Sequence, residues 1–346
     1  MKRVIVLLMI GLQLVIASVA QAEEKPKVIR ILFASTQFAT QHAYNATQNY
    51  IVNNSLLQKE FEKDGIKVDI SYIKAAGPGI NEALAAGLGD FAPYGDFPRI
   101  VSKAAGLKTL HILGNEKGTN IYILALPKLH LKSFKELKGK KIALWRGTAN
   151  ETAFLKMLQT NGLTEKDVII RNMGGNDGLA ALSAGFIDAL VSSADRPLVD
   201  QGLAVLLADN RDLRTYPLDD HFTSDLSVME DFARKYPDIT KRVVKVFIKA
   251  DYWASQEKNR EEVLQTLVQA GYKYKYQKED YQNANLKQIF NPLLDQASYK
   301  HFQGLIDYCY NRKLIRNKFD VNKWFDKSFS EAALKELGLE NYWTQK

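Results

Sequence analysis

The sequence predicts an α/β protein of two similar lobes, each a mainly parallel sheet with helices on both faces. Three observations point to this. The order strand, helix, strand, helix, strand can be read twice along the chain. The string LAAGLGDFAPYGDFPR at 84–99 returns as LSAGFIDALVSSADRP at 182–197. The two copies, marked by Asp90 and Asp188, stand about one small domain apart, too far for a solenoid repeat of roughly 20–50 residues.

The first half opens at 27–34 (KVIRILFA), a β-branched run that reads as a strand. Residues 48–64 carry Tyr50, Ile51, Leu56, Leu57 and Phe61 at helical spacing, and Gly65 stops the helix. An alternating strand follows at 67–73, then a turn at Gly77-Pro78-Gly79, a helix over 80–86 ending at Gly87, and a short buried strand from Asp90. The second half repeats the order. Strands are expected at 142–145, 167–171 and 187–191, with helices at 150–159 and 178–184. Residues 120–126 read as an outgoing crossing between lobes and 221–228 as the return. Helices at 234–254 and 260–270 and a tail to 346 return over the first lobe.

With 46% apolar and 25% charged residues in a chain of 346, there is ample material for a folded core. Lys2 and Arg3, an apolar run from Val4 to Ile16, and Ala20-Gln21-Ala22 have the layout of a secretory signal peptide cut after Ala22. The plain alternative is an uncleaved anchor over 4–22. Cys309 is the sole cysteine, so no intrachain disulfide forms and no lipoprotein cysteine stands at the cleavage site. It reads as a small buried hydrophobe. The net charge of +8 is scattered among acids, which indicates a mild preference for anions and no nucleic-acid partner.

In an open parallel sheet, ligands bind beyond the carboxyl ends of the strands. Four loops lie there. In Trp145-Arg146-Gly147-Thr148-Ala149-Asn150, a strand ends, Gly147 turns the chain, and Thr148 stands where it can cap a helix. Backbone N–H groups of that first turn can take an anion, with Arg146 adding a charged fork. The ordinary reading is a capped helix with Arg146 in solvent. In Tyr94-Gly95-Asp96-Phe97, Gly95 permits close approach, Asp96 can cap the next helix, and Tyr94 and Phe97 can wall an apolar ligand. The same residues also suit a capping turn alone. The matching loop of the second copy offers Ser192, Ser193 and Asp195, with Arg196 placed to pair with Asp195 or a neighbour. The fourth loop follows the first strand and contains Gln37.

Other chemistries find little footing. Gly77-Pro78-Gly79-Ile80-Asn81-Glu82 begins like a dinucleotide fingerprint but lacks its third glycine. No Walker A loop, nucleophile elbow or His-Glu-x-x-His occurs, and the five histidines show no metal-ligand spacing. Tyr272-Lys273-Tyr274-Lys275-Tyr276 reads as a solvated or amphipathic edge. No catalytic set, cofactor or metal is expected.

Three segments, GPGINEALAAGLGDFAPYGDFPRIVSKAAG, LKGKKIALWRGTANETAFLKMLQTNGL and ALSAGFIDALV, together with the tail DVNKWFDKSFSEAALKELGL, carry a family resemblance. In order and spacing the chain resembles the periplasmic substrate-binding proteins of ABC importers for sulfonates, taurine and nitrate, a group that also contains thiamine-pyrimidine binders. The resemblance covers nearly all of the chain after the signal. It implies the two-lobed periplasmic binding protein fold (type II), with lobes joined by two hinge crossings. It divides the chain into a signal at 1–22, lobe 1 at 23–122, lobe 2 at 123–222, and a return to lobe 1 at 223–346. It places ligand contacts at Gly95, Asp96 and Phe97, at Gly147, Thr148 and Ala149, and around Gln37. Two departures stand out. The segment 36–54 is longer and more polar than the family's turn, so it can add Gln37, His42 or Asn45 to the cleft. Ser192-Ser193-Ala194-Asp195 replaces a stretch expected to hold an aromatic. The implied role is a monomeric periplasmic carrier that performs no reaction. It captures a small organic anion, a sulfonate or sulfate ester, and docks on an inner-membrane ABC permease. The alternatives are a thiamine-pyrimidine-like or other neutral aromatic ligand, or a sensing subunit for a membrane receptor.

Overall fold

The computed structural model describes residues 24–35, 42–118, 120–210 and 224–344. The signal segment and Gln37 lie outside the described residues. Strands β1 (Val28–Ala34), β2 (Lys67–Ile73), β3 (Phe91–Pro93), β4 (Thr109–Leu113) and β10 (Leu226–Met229) form one sheet in the order β2-β1-β3-β10-β4. Strands β5 (Tyr122–Ala125), β6 (Lys141–Leu144), β7 (Ile169–Asn172), β8 (Ala189–Ser192) and β9 (Val205–Asp209) form the other, ordered β7-β6-β8-β5-β9.

The two sheets have the same plan. β1 runs parallel to β2 and β3, and β6 runs parallel to β7 and β8. In each sheet one strand runs against its neighbours: β10 in the first and β5 in the second. These are the strands the chain reaches by passing from the other sheet. Each crossing finishes as a ladder strand, β5 within 120–126 and β10 at the end of 221–228, whose first three residues lie outside the described residues. The edge or near-edge strands β4 and β9 were also not anticipated.

Central strands are covered on both faces, as a sheet flanked by helices requires. Ile29, Ile31 and Phe33 of β1 pack with Ile51, Leu57, Phe61, Val243 and Phe247, while Leu32 faces Ile80 and Leu84 on the other side. In the second sheet Ile142 and Leu144 meet Phe154 and Leu158, and Ala143 meets Leu182. Each fully buried large apolar side chain contributes about 1.5–3 kcal/mol.

The first lobe holds α1 (Ala46–Asn53), α2 (Leu56–Phe61), α3 (Ala76–Ala85) and α4 (Asp96–Ala104). The second holds α5 (Ala149–Thr160), α6 (Gly175–Ser183) and α7 (Pro197–Asp200). The helix expected over 48–64 is broken at Ser55, whose φ of 51° is left-handed. Gly77-Pro78-Gly79 is the first turn of α3 rather than a separate turn, because a proline is tolerated where the N–H has no helical partner. The remaining helices are α8 (Glu230–Lys235), α9 (Pro237–Ala254), α10 (Arg260–Gln269), α11 (Tyr274–Tyr281), α12 (Leu286–Ile289), α13 (Gln296–Asn311) and α14 (Ser328–Leu337). α9 and α14 pack on the first sheet's core, α13 packs against α4, and α10 to α12 gather around the start of α1. No helix among the described residues is long and apolar enough to cross a membrane.

The repeated aspartates do the same job twice. Asp90 accepts the Arg30 N–H at 2.8 Å and donates its own N–H to the Arg30 carbonyl at 2.8 Å. Asp188 accepts the Lys141 N–H at 2.7 Å and donates to the Lys141 carbonyl at 2.7 Å. Each aspartate thus pins the entry of its lobe's third strand to the first.

Candidate functional site

A cavity of about 190 Å³ is lined by both lobes and by the segments that join them. The first lobe supplies Ala34, Tyr44, Asn45, Gln48, Ala76, Gly77, Pro93, Tyr94, Gly95 and Pro98. The joining segments supply Glu116, Lys117, Gly118, Asn120 and Ser224, and the second lobe supplies Tyr122, Trp145, Thr148, Ala149, Asn150 and Ser193. The helices from α10 onward complete the wall with Leu267, Tyr272, Gln277, Asp280, Tyr281 and Ile289.

Three helices begin at this cavity. Ala76 and Gly77 open α3, Gly95 is the N-cap of α4, and Thr148 is the N-cap of α5. The N-caps of α3 and α4 are Ala75 and Gly95, which have no side-chain acceptor, and the Thr148 side chain does not bond the first turn of α5. The Thr148 hydroxyl donates to the Trp145 carbonyl at 2.7 Å instead of capping. Helix N-termini present N–H groups and the positive end of the dipole, so their convergence makes a place for negative charge. Glycines let the three starts crowd together. A Cβ on Gly77 would overlap Pro98, one on Gly147 would stand 2.9 Å from Pro78, and one on Gly95 would stand 3.0 Å from the Ala149 Cβ. Ala76, at φ 50°, holds a left-handed conformation that costs a non-glycine residue roughly 1–3 kcal/mol.

The walls offer mainly neutral donors. Burial, helped by the charge of Asp195, pushes the Tyr44 phenol up to about 12, and burial raises the Tyr272 phenol well above its ordinary value. Both therefore keep their O–H at neutral pH. Lys117 is the one basic side chain among the described lining residues, and its Nζ stands 3.7 Å from Asp295. Two acids also reach the wall, and both are engaged by neighbours. Glu116 accepts from the Tyr281 hydroxyl at 2.7 Å, and burial pushes its carboxyl up. Asp280 accepts from the Tyr122 hydroxyl at 2.7 Å and from Arg196 at 2.7 Å.

Of the sequence-derived candidates, Tyr94, Gly95, Thr148, Ala149, Asn150 and Ser193 line the cavity, as does Asn45. The others are placed elsewhere. Phe97 is 3% exposed and packs in a core with Ile100, Phe302 and Trp324, so it cannot wall a ligand. Asp96 lies behind the site, where its carboxylate meets its neighbour's Phe97 N–H at 2.6 Å and His301 Nε2 at 3.0 Å. Arg146 is held by Glu151 and Glu165, which takes its guanidinium out of the role of an anion fork. Gly147 contributes room for Pro78, while its N–H goes to Glu151 at 2.7 Å. The Ser192 hydroxyl donates to Asp195 at 2.6 Å, so these two brace their own loop. His42 is not among the lining residues.

Sequence reasoning missed the joining segment Glu116–Asn120, the Trp145 indole, and the contribution of α10 to α12. Of the two readings of 272–276, the amphipathic one fits: Tyr272 and Tyr276 are buried, and Lys273 and Lys275 are exposed. The available signal was the close interleaving of tyrosines at 272–276, which a solvent-facing helix does not need. Behind the site, Arg99 is fully buried and donates to the carbonyls of Tyr94 and, at 2.6 Å, Asp225. It fixes the loop that carries Tyr94 and Gly95.

The family described as NMT1/THI5 like matches residues 60–260. A protein of Escherichia coli (strain K12), named as an aliphatic sulfonates-binding protein, is 28% identical over 191 residues. That match spans 55% of this chain and 56% of the relative, so little more than half of the relative's length is covered. The structure of the periplasmic sulfonate-binding protein SsuA from Methylobacillus flagellatus KT is 31% identical, with a TM-score of 0.77 over 91% of this chain and 96% of that one. The desulfurization enzyme DSZB, 14% identical with a TM-score of 0.66 over 89% of this chain and 99% of that one, shares the fold alone.

Proposed function

The chain belongs to the NMT1/THI5-like family, and from that premise we propose that it is a periplasmic solute-binding component of an ABC importer. It captures a small sulfonate between its lobes and delivers it to a membrane permease. The observation that carries this reading is the convergence of three helix N-termini on one cavity. The names of the sulfonate-binding relatives support it, as does the signal-like start of the chain.

The sulfonate head lies against the N-termini of α4 and α5, one from each lobe, so that a bound anion draws the lobes together. Tyrosine hydroxyls and side-chain amides supply further donors. Binding rather than reaction is favoured by the state of the one thiol. Cys309 is fully buried in the core around Phe302, and burial pushes its thiol up to about 12. It is no thiolate nucleophile at neutral pH.

Calorimetry and thermal shift with sulfonates, sulfate esters, nitrate and pyrimidines test the reading. A sulfonate present at about 100 times its Kd should add roughly 2.7 kcal/mol to stability. A shift with a neutral pyrimidine and none with any anion would sink it.

A further inference from the structure

We propose that the body of the ligand is a single aromatic ring attached directly to the anionic head, so that this protein selects arylsulfonates over alkanesulfonates. The inference rests on the sulfonate reading above and concerns the same cavity. Four aromatic residues of its wall keep some exposure, Tyr44, Trp145, Tyr272 and Tyr281, against two large aliphatic ones, Leu267 and Ile289; Tyr94 and Tyr122 are fully buried.

The placement of the rings is as informative as their number. Tyr94 immediately precedes Gly95, the N-cap of α4, and Trp145 stands three residues before Thr148, the N-cap of α5. Thr148 is tied to the Trp145 carbonyl at 2.7 Å, so this ring residue and its helix start move as one unit. The Tyr94 ring packs in the first-lobe core with Leu32 and Ile80, so the aromatic side chain at the helix starts is that of Trp145, beside α5. A ligand seated there meets the Trp145 residue at the atoms next to its sulfur, before any alkyl spacer could extend.

The rings are held from behind, which limits the entropy lost on binding. The Tyr281 ring stacks on Phe290 at an interplanar angle of 13°, and its hydroxyl is bonded to Glu116. Trp145 keeps its place because Gly174 has no side chain: a Cβ there would stand 2.5 Å from the indole Cγ. The size agrees with one ring. A cavity of roughly 150 Å³ accepts benzene, and this one measures about 190 Å³.

The test is calorimetry on the full secreted chain with benzenesulfonate, cyclohexanesulfonate, ethanesulfonate and naphthalenesulfonate. Benzenesulfonate should bind about tenfold more tightly than its saturated counterpart, because ring-to-ring contacts add to plain area burial. Naphthalenesulfonate should bind more weakly than benzenesulfonate. Trp145→Leu, which keeps an apolar side chain, should reduce benzenesulfonate binding about tenfold and ethanesulfonate binding less than about twofold. Equal or tighter binding of cyclohexanesulfonate overturns the proposal while leaving the sulfonate reading intact, and it needs no variant. Equal losses for both ligands in a folded Trp145→Leu protein also overturn it. Binding of none of the four sulfonates removes the reading on which it stands.

Discussion

Gly95 of the first lobe and Ala149 of the second meet at the starts of their helices. A Cβ on Gly95 would stand 3.0 Å from that of Ala149. The φ of Gly95 is −64°, which any residue can adopt, so the glycine is required here for space and not for backbone freedom. Gly95→Val should therefore overpack against Ala149 and cost the protein about 1–3 kcal/mol. It should weaken ligand binding by at least about tenfold, because the lobes no longer meet at the helix starts. Titration calorimetry beside a thermal melt checks both parts. Unchanged affinity would place the ligand away from this contact.

Arg196 lies after the second lobe's β8 yet is clasped by α11, which packs with the first lobe's helices. It is enclosed between the rings of Tyr122 and Tyr276, at 4.5 and 4.4 Å from their centroids, and paired with Asp280 at 2.7 Å and Glu279 at 3.1 Å. Removing one partner of a buried pair leaves the other uncompensated, which typically costs about 3–5 kcal/mol. Arg196→Ala should destabilise on that order and should weaken anion binding by exposing the Asp280 charge at the wall. Arg196→Ala combined with Asp280→Asn should recover more than half of the stability loss. Urea melts of both singles and the double give the coupling, and strict additivity would contradict the clasp.

Much of the fold was legible because the signals were local and duplicated. β-branched runs, glycine stops and the returning Leu-x-Ala-Gly-x-x-Asp string marked β1, β2, β6 and the helices between them. What was not legible depends on long-range pairing. β5 and β10 are short apolar runs whose place in a ladder is decided by strands from 189–192 and 91–93. The site divided in the same way. Helix starts followed, to within one residue, from Asp96 and Thr148, whereas the contacts of Asp96, Phe97 and Arg146 turn on His301, Trp324 and Glu165, partners further along the chain.

The matched aspartates should differ in strength. Asp188 bonds the Lys141 backbone alone through its side chain, whereas Asp90 also pairs with the Arg30 guanidinium at 2.6 Å. A hydrogen bond to a charged group contributes about 1.5–3 kcal/mol when shielded and less near solvent. Asp188→Ala should cost about 1 kcal/mol and Asp90→Ala about 2 kcal/mol. Chemical denaturation of the two variants measures the difference, and a larger loss at Asp188 would contradict it.

Asp251, in α9, is fully buried, and neither oxygen of its carboxyl has a hydrogen-bond partner. Burial pushes this carboxyl well above the usual carboxylate range, with the charges of Asp225 and Glu116 adding to the effect. The folded state therefore holds a proton that the unfolded chain releases near the ordinary carboxylate value of about 4. Its contribution to stability is fully present below that value and is lost as pH rises toward the folded value. Asp251→Asn keeps the shape and removes the titration. The variant's Tm relative to the native protein should accordingly rise as pH goes from about 4.5 to 8. Asp225 and Glu116 are present in both proteins, which leaves Asp251 as the group whose titration differs. Thermal melts across that range decide the matter: a pH-independent difference would mean that Asp251 is ionised in the folded protein.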